Sequence, residues 1–195
     1  GPRRYVPPGV LIKDLPPIDV VLISHNHFDH LDLPSLKKLS SRDLNTQFLV
    51  PLGNAELLLQ HGITNVQELD WGDRVTVNGA SVICLPSQHW SKRKLTDTNK
   101  TLWASWAVIG AKKRFYFAGD TGYFPEFSRI GEKLGPFDMA AMPIGAHEPR
   151  SMMQSTHMNP EEAVEEAVEA ALKLQAKKVL AIHFGTFDLS DEPLA

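Results

Sequence analysis

Three histidines and one aspartate lie within six consecutive residues, His25-Asn26-His27-Phe28-Asp29-His30. Imidazole nitrogens and carboxylate oxygens are common ligands of divalent metal ions. In an extended loop, His25 and His27 can turn the same way, while Asp29 and His30 reach a second position. The spacing therefore predicts a site for two adjacent divalent ions. A polar loop whose histidines only form hydrogen bonds is the alternative.

Three further candidate ligands follow apolar runs elsewhere in the chain. His89 follows the run 82–86, Asp120 follows 115–119 and His183 follows 179–182, just as His25 follows 20–23. Each run predicts a strand, and open α/β sheets place their ligands outside the carboxyl ends of their strands. The four positions therefore predict one shared metal site.

The elements that must position these residues are short. Apolar runs rich in β-branched or aromatic residues are separated by Pro, Gly, Asn and Asp, which predicts strands interleaved with helices in a layered α/β architecture. The run 19–24 is continuously apolar, so it predicts a strand buried on both faces. Further strands are expected at 47–50, 66–69, 74–77, 80–85, 103–109, 114–118, 138–143 and 178–183, with a type I′ turn at Asn78-Gly79.

Helices are predicted at 34–42, 54–61, 125–134 and 160–176. The last one has the clearest signals, because Asn159 is a good N-cap and Pro160 suits the first turn. Its apolar residues Val164, Ala167, Val168, Ala171 and Leu174 recur at helical spacing and are expected to face a sheet.

Composition limits the class of protein. The 195 residues fit one domain, so we expect a single domain over 1–195. The net charge of −3 disfavours non-specific nucleic-acid binding. No apolar run approaches the roughly 20 residues needed to span a bilayer, and the first residues, Gly1 to Arg4, are not typical of a signal peptide. Cys84 is the only cysteine, which excludes an intrachain disulfide and predicts a small buried side chain.

Longer segments resemble the N-acyl-phosphatidylethanolamine-hydrolysing phospholipase D branch of the metallo-β-lactamase superfamily. They are LISHNHFDHLD (22–32), PSQHWSKR (86–93), FAGDTGY (117–123), GPFDMAAMPIGAHEPR (135–150), NPEEA (159–163) and IHFGTF (182–187). The resemblance covers nearly the whole chain and implies an αββα sandwich. The family has additional strands before the equivalent of Gly1 and continues after the equivalent of Ala195. The resemblance therefore implies a fragment without the first strands and the C-terminal end, unless those segments are supplied in some other way.

The resemblance also implies a role for each candidate residue. One ion would be held by His25, His27 and His89, the other by Asp29, His30 and His183, and Asp120 would bridge the pair. Two Zn²⁺ ions suit these ligands best, with iron or manganese as alternatives. Catalytic roles are implied for Asp29, Asp120 and His157, and substrate contacts for Phe28, His157, His147 and Arg150.

Some of these roles have structural alternatives. His157 is expected to bind the phosphate or protonate the leaving alkoxide, or else to be a helix-entry histidine with a local hydrogen bond. His147 lies beside Glu148 and Arg150, where a loop salt bridge is equally plausible. The branch usually has Tyr at the position of Phe28, so a hydroxyl contact with substrate is absent here. The basic run Lys92, Arg93 and Lys94 could meet an anionic headgroup or form a solvated loop.

The implied reaction is hydrolysis of N-acyl-phosphatidylethanolamine to phosphatidic acid and an N-acylethanolamine, with a hydroxide between the ions as nucleophile. Two alternatives stay open: a hydrolase of this fold acting on a soluble phosphodiester or lactone, and a non-catalytic binding module or fragment. We expect a phospholipid substrate, peripheral membrane contact, an intracellular location, no nucleic-acid partner and a possible homodimer.

Overall fold

The structure is a computed structural model that describes residues 4–158, 166–187 and 189–190. A short 3-10 helix spans Ile12–Asp14. The α-helices are α1 (Leu33–Arg42), α2 (Ala55–Leu59), α3 (Glu126–Leu134), α4 (Arg150–Met153) and α5 (Glu166–Lys173). The strands are β1 (Val20–Leu22), β2 (Gln47–Pro51), β3 (Val66–Leu69), β4 (Arg74–Val77), β5 (Ala80–Leu85), β6 (Ser105–Ile109), β7 (Arg114–Phe117), β8 (Met139–Pro143) and β9 (Val179–Ile182). In this described part, no helix has both the length and the apolar character needed to cross a bilayer.

The strands form two sheets. β1, β2 and β3 make a parallel three-stranded sheet in that order, with Val20 opposite Gln47 in the register. The six-stranded sheet follows chain order from β4 to β9; its first four strands are antiparallel, and β8 and β9 then run parallel to β7. Positive φ angles of 48° at Asn78 and 80° at Gly79 join β4 to β5, as a type I′ turn requires.

Three apolar clusters show that the sheets lie face to face between two helical layers. Successive residues of β2 belong to different clusters. Phe48 packs with Leu36 of α1 and Leu58 of α2, whereas Leu49 faces the other sheet. Alternate side chains of a strand point to opposite faces. In the six-stranded sheet, one face packs against β2 and the other against α3 and α5. The order of layers is therefore αββα.

Most predicted elements are confirmed within one or two residues, and the differences have physical reasons. β1 is half-buried rather than buried on both faces, because it is an edge strand of the smaller sheet. β6 begins at Ser105, so Trp103 precedes it. The predicted helix 160–176 includes residues 160–165, which lie outside the described residues together with Asn159; its described part is α5. The 3-10 helix and α4 carried no periodic signal because each spans only three or four residues.

Candidate metal centre

The carboxyl ends of strands from both sheets bring the candidate ligands together. The loop with His25 follows β1 of the smaller sheet, while Asp120 and His183 follow β7 and β9 of the larger one. Two hydrogen bonds join the sheets immediately before that loop: Trp106 Nε1 donates to Ile23 O (3.0 Å), and the Ala104 amide donates to Ser24 O (2.8 Å). The buried indole therefore fixes where the loop starts.

The first cluster contains three imidazole nitrogens and one carboxylate oxygen. His27 Nδ1 lies 2.8 Å from His25 Nε2 and 3.3 Å from His89 Nε2. Asp120 Oδ2 lies 3.8 Å from His25 Nε2 and 3.7 Å from His89 Nε2. All four atoms lie within 4.8 Å of one another.

The second cluster contains two imidazole nitrogens and two carboxylate oxygens. His30 Nε2 lies 3.1 Å from Asp29 Oδ2 and 3.0 Å from Asp120 Oδ2. His183 Nε2 lies 3.4 Å from Asp29 Oδ2 and 3.2 Å from Asp120 Oδ2. Because Asp120 belongs to both clusters, its carboxylate is the point where they join.

These spacings fit divalent ions. Four ligands at the Zn–N distance of about 2.0–2.1 Å in a tetrahedron lie roughly 3.3 Å apart, and the donor pairs given above span 2.8–3.8 Å. Asp120 Oδ1 is buried and has no hydrogen-bond partner among the described residues. A buried carboxylate oxygen of this kind is normally satisfied by a donor or a cation. The donor set therefore fits two metal ions.

Hydrogen bonds outside the clusters orient the rings. His89 Nδ1 contacts Thr156 O at 3.2 Å, and His25 Nδ1 contacts Ser24 Oγ at 3.0 Å. When the outer nitrogen of a ligating histidine donates to a carbonyl, the other nitrogen is left with a free lone pair for a metal. The Thr156 carbonyl therefore leaves Nε2 of His89 free to accept a metal, while the Ser24 hydroxyl holds the His25 ring with its Nε2 in the first cluster.

The histidine pKa values differ between the two clusters. Burial lowers the pKa of His25 well below its usual value and lowers that of His89 to about 3, so both rings are neutral ligands. Burial also disfavours charge on His30, but the carboxylates of Asp120 and Asp29 outweigh it and raise the pKa of His30 to about 10. Burial opposes ionisation of Asp120 as well, yet His30 and His183 hold its pKa well below the usual value.

Comparison with known proteins assigns the family. The sequence profile described as Beta-lactamase superfamily domain matches residues 1–184. The chain belongs to this superfamily. It is 45% identical over 199 residues to N-acyl-phosphatidylethanolamine-hydrolyzing phospholipase D 1 of Caenorhabditis elegans, which covers 97% of this chain and 55% of that protein. It is 42% identical over 195 residues to the protein called Uncharacterized protein Rv0906 of Mycobacterium tuberculosis, covering 99% of this chain and 51% of that one.

The chain thus spans about half the length of these curated relatives. Among solved structures, it is similar to CmlA, a diiron β-hydroxylase from Streptomyces venezuelae. The TM-score is 0.69 at 24% identity, covering 89% of this chain and 37% of CmlA. At that identity the likeness shows the fold alone. Together with the superfamily match, it confirms the metallo-β-lactamase-like αββα sandwich that the family resemblance implied.

The other residues predicted for the superfamily site lie at different distances from the clusters. The His157 ring is buried between them, with its centroid 5.1 Å from that of His89 and 5.5 Å from that of His183. Burial lowers the pKa of His157 to about 4. Arg150 Nη1 donates to His157 O (2.9 Å), so this guanidinium supports His157. The half-buried His147 lies in the loop that precedes α4.

Phe28 does not point into either cluster. Its side chain is 45% exposed, and its ring lies under the Arg93 guanidinium at 4.2 Å from the centroid. The predicted substrate contact of Phe28 stays a prediction. The Trp90 ring packs against the first cluster, 4.5 Å from His27 between centroids, and only its position next to His89 in the sequence could have suggested this.

A cavity of about 190 Å³ opens beside the second cluster. Most of the residues that line it were not predicted as site residues from the sequence. Its lining includes Asp29, His30, His183, Phe184 and Arg4. The Arg4 guanidinium lies over the Phe187 ring at 5.3 Å, and backbone pairing between Arg4 and Phe187 places it there. No sequence motif near Arg4 predicts that it lines this cavity, because the contact that places it there joins residues 183 positions apart.

Proposed function

We propose that this chain carries the catalytic centre of a metal-dependent phosphodiesterase that hydrolyses N-acyl-phosphatidylethanolamine at the ethanolamine side of phosphorus. The observation that carries the proposal is the convergence of seven side chains into two clusters that share Asp120. The phospholipase name of the 45% identical C. elegans relative supports the substrate. Phosphatidic acid and an N-acylethanolamine would be the products.

The residues of the two clusters would hold two divalent cations, zinc in the first instance. His25, His27 and His89 supply neutral nitrogens to one position, whereas Asp29, His30 and His183 serve the other. Two cations in such a site lower the pKa of water and neutralise charge on phosphoryl oxygens. Asp120, which belongs to both clusters, would be the ligand common to the two ions.

His157 is the group best placed to handle the substrate rather than a metal. Its ring lies against rings of both clusters, and its buried Nδ1 has no hydrogen-bond partner among the described residues. Because burial keeps this ring neutral, it can donate a hydrogen bond without bringing a second positive charge. We propose that it donates a hydrogen bond to the phosphate or, after taking up the proton that the attacking water releases, gives that proton to the leaving alkoxide of the N-acylethanolamine.

The bond that breaks can be identified with isotopic water. Hydrolysis of N-acyl-phosphatidylethanolamine in water enriched in ¹⁸O should place the label in phosphatidic acid, because water attacks phosphorus and the P–O bond breaks. Label found only in the released alcohol would overturn the mechanism. The Asp120→Asn protein is the control for a contaminating hydrolase, since an unchanged rate in that variant would assign the activity elsewhere.

The substrate class is tested separately with a panel. N-acyl-phosphatidylethanolamine, the unacylated phospholipid, a soluble phosphodiester and a lactone are compared at equal concentration, with metal content measured by plasma mass spectrometry. We expect about two ions per chain and the fastest turnover of the N-acylated lipid. Faster turnover of the soluble diester or the lactone would refute the lipid assignment and leave a hydrolase of another substrate class.

A further inference from the structure

The loop that carries four of the seven clustered residues is wrapped around one guanidinium. Arg93 Nη1 donates to Asn26 O (3.0 Å) and to Leu31 O (2.9 Å). The Phe28 ring covers the face of the same group at 4.2 Å. Arg93 therefore contacts the beginning, the middle and the end of the loop from His25 to Leu31.

The segment that presents Arg93 is itself held firmly. The Lys92 amide donates to Asn26 Oδ1 (2.9 Å), which ties the segment to the loop a second time. Asp97 Oδ1 accepts from the Arg93 amide (2.9 Å) and from the Lys94 amide (2.7 Å). These hydrogen bonds hold the backbone of residues 92–94 in place, so the position from which the Arg93 side chain extends to the loop is fixed.

The position of these contacts relates them to both clusters. Asn26 lies between His25 and His27 of the first cluster, and Leu31 follows His30 of the second. Arg93 Nη1 donates to both carbonyls while the guanidinium carbon lies over the Phe28 ring, a cation–π contact that suits a planar, delocalised cation. A lysine ammonium has three donors and could meet these carbonyls, but it lacks the planar, delocalised face that packs on an aromatic ring.

We propose that Arg93 is a positioning residue for both metal sites, setting the shape of the 25–31 loop so that its ligands meet those from the larger sheet. The inference rests on the metal centre of the proposed function but not on its lipid substrate. Of the basic run 92–94, whose expected roles were headgroup contact or a solvated loop, Arg93 is turned towards the metal loop.

The test compares Arg93→Ala and Arg93→Lys with Lys94→Ala, whose exposed side chain is the matched control. Zinc affinity of the metal-free proteins is measured by competition with a chromophoric chelator, and the visible absorption of the Co²⁺-loaded proteins reports ligand geometry. Outer-shell partners of metal ligands typically contribute about 10–100-fold to metal affinity. We expect that loss in both Arg93 variants, a changed Co²⁺ spectrum, partial recovery of Arg93→Ala by millimolar guanidinium ion, and no change in Lys94→Ala.

Unchanged zinc affinity and an unchanged Co²⁺ spectrum in the Arg93 variants would overturn the inference. So would a loss of affinity shared equally by Lys94→Ala. If Arg93→Ala does not fold, Arg93→Lys and Phe28→Leu provide the same readouts with milder changes. The two proposals fail separately: a wild-type protein that binds two ions but hydrolyses no N-acylated lipid refutes only the substrate, whereas Arg93 variants that bind metal normally refute only the positioning role.

Discussion

Replacing Gly119 with Ala should push apart the two strand ends on which the metal centre depends. Gly119 precedes Asp120 and has a φ of +62°. A Cβ at this position would lie 2.5 Å from Ser24 Cβ and 3.2 Å from Ala104 O. Ser24 precedes His25, and its hydroxyl contacts the His25 ring at 3.0 Å. The added methyl group would therefore act directly between Asp120 and the 25–31 loop.

The size of the effect follows from two contributions. A left-handed φ in a residue with a Cβ costs about 1–2 kcal/mol. Carbon atoms in contact are normally about 3.5–4.0 Å apart, so the separation of 2.5 Å from Ser24 Cβ must widen by about 1 Å. That displacement exceeds the ±0.2 Å tolerance of metal–ligand distances. We expect zinc affinity to fall and activity to drop about 100-fold, as misplacement of this size can cause.

Gly185 provides a matched control. Its φ is +63°, and a Cβ there would meet no heavy atom of the described residues within 4 Å. Gly185→Ala should therefore show only the backbone contribution, about 1 kcal/mol or a 2–4 °C lower melting temperature for a chain of this size. Gly119→Ala should lower it by about twice as much or more, and the second change Ser24→Gly should recover part of the loss.

Thermal melting and zinc titration of the metal-free proteins distinguish these contributions. If Gly119→Ala and Gly185→Ala lose equal stability and equal zinc affinity, the close approach to Ser24 is not what requires glycine, and the reasoning is refuted. If Ser24→Gly fails to improve Gly119→Ala, the strain lies at another contact, such as Ala104 O.

Three further predictions follow from the site and the core. Asp120→Asn should lose both ions and orders of magnitude of activity while the protein stays folded, because both clusters share this carboxylate; two ions per chain by plasma mass spectrometry would contradict that role. Arg4→Met should raise KM for an anionic phosphodiester about tenfold with little change in kcat, since a charge-assisted hydrogen bond from the cavity wall contributes about 1.5–3 kcal/mol; Arg4→Lys should be intermediate, and a fall in kcat alone would argue against substrate binding. Burial of Cys84 raises its thiol pKa to about 12, so Ellman's reagent at pH 8 should leave the native protein unmodified and react after denaturation; rapid reaction of the native protein would show that β5 is not buried.

The strand pattern and the metal loop were predictable from sequence because both depend on local signals. β5 alternates between a face packed on the other sheet, through Val82 and Cys84, and a face packed on the helices, through Ile83 and Leu85. The burial of β1 was overestimated because a run of apolar residues does not reveal whether its strand has a neighbour on both edges. The predicted single domain and homodimer stay predictions.

The exact partners within the site were less accessible to sequence. Phe28 was expected to meet substrate, which stays a prediction, and the structure adds that its ring lies against Arg93. The expected substrate contact of Arg150 also stays a prediction, and the structure adds that its guanidinium donates to the His157 carbonyl. In each case the residue was recognised as lying near the chemistry. Its contact depended on a side-chain direction that spacing along the chain does not specify.

By itself, the sequence determined which residue types stand at the ends of which strands, because hydrophobic periodicity and turn residues act over a few positions. The family resemblance already implied that Asp120 would join the two clusters. Only the tertiary structure decided that Arg93 contacts the loop bearing four of the clustered residues and that Arg4 reaches the cavity beside His183. These contacts join residues far apart in the chain. They exist because two sheets packed face to face bring their carboxyl ends to one edge, where burial and converging lone pairs create the site.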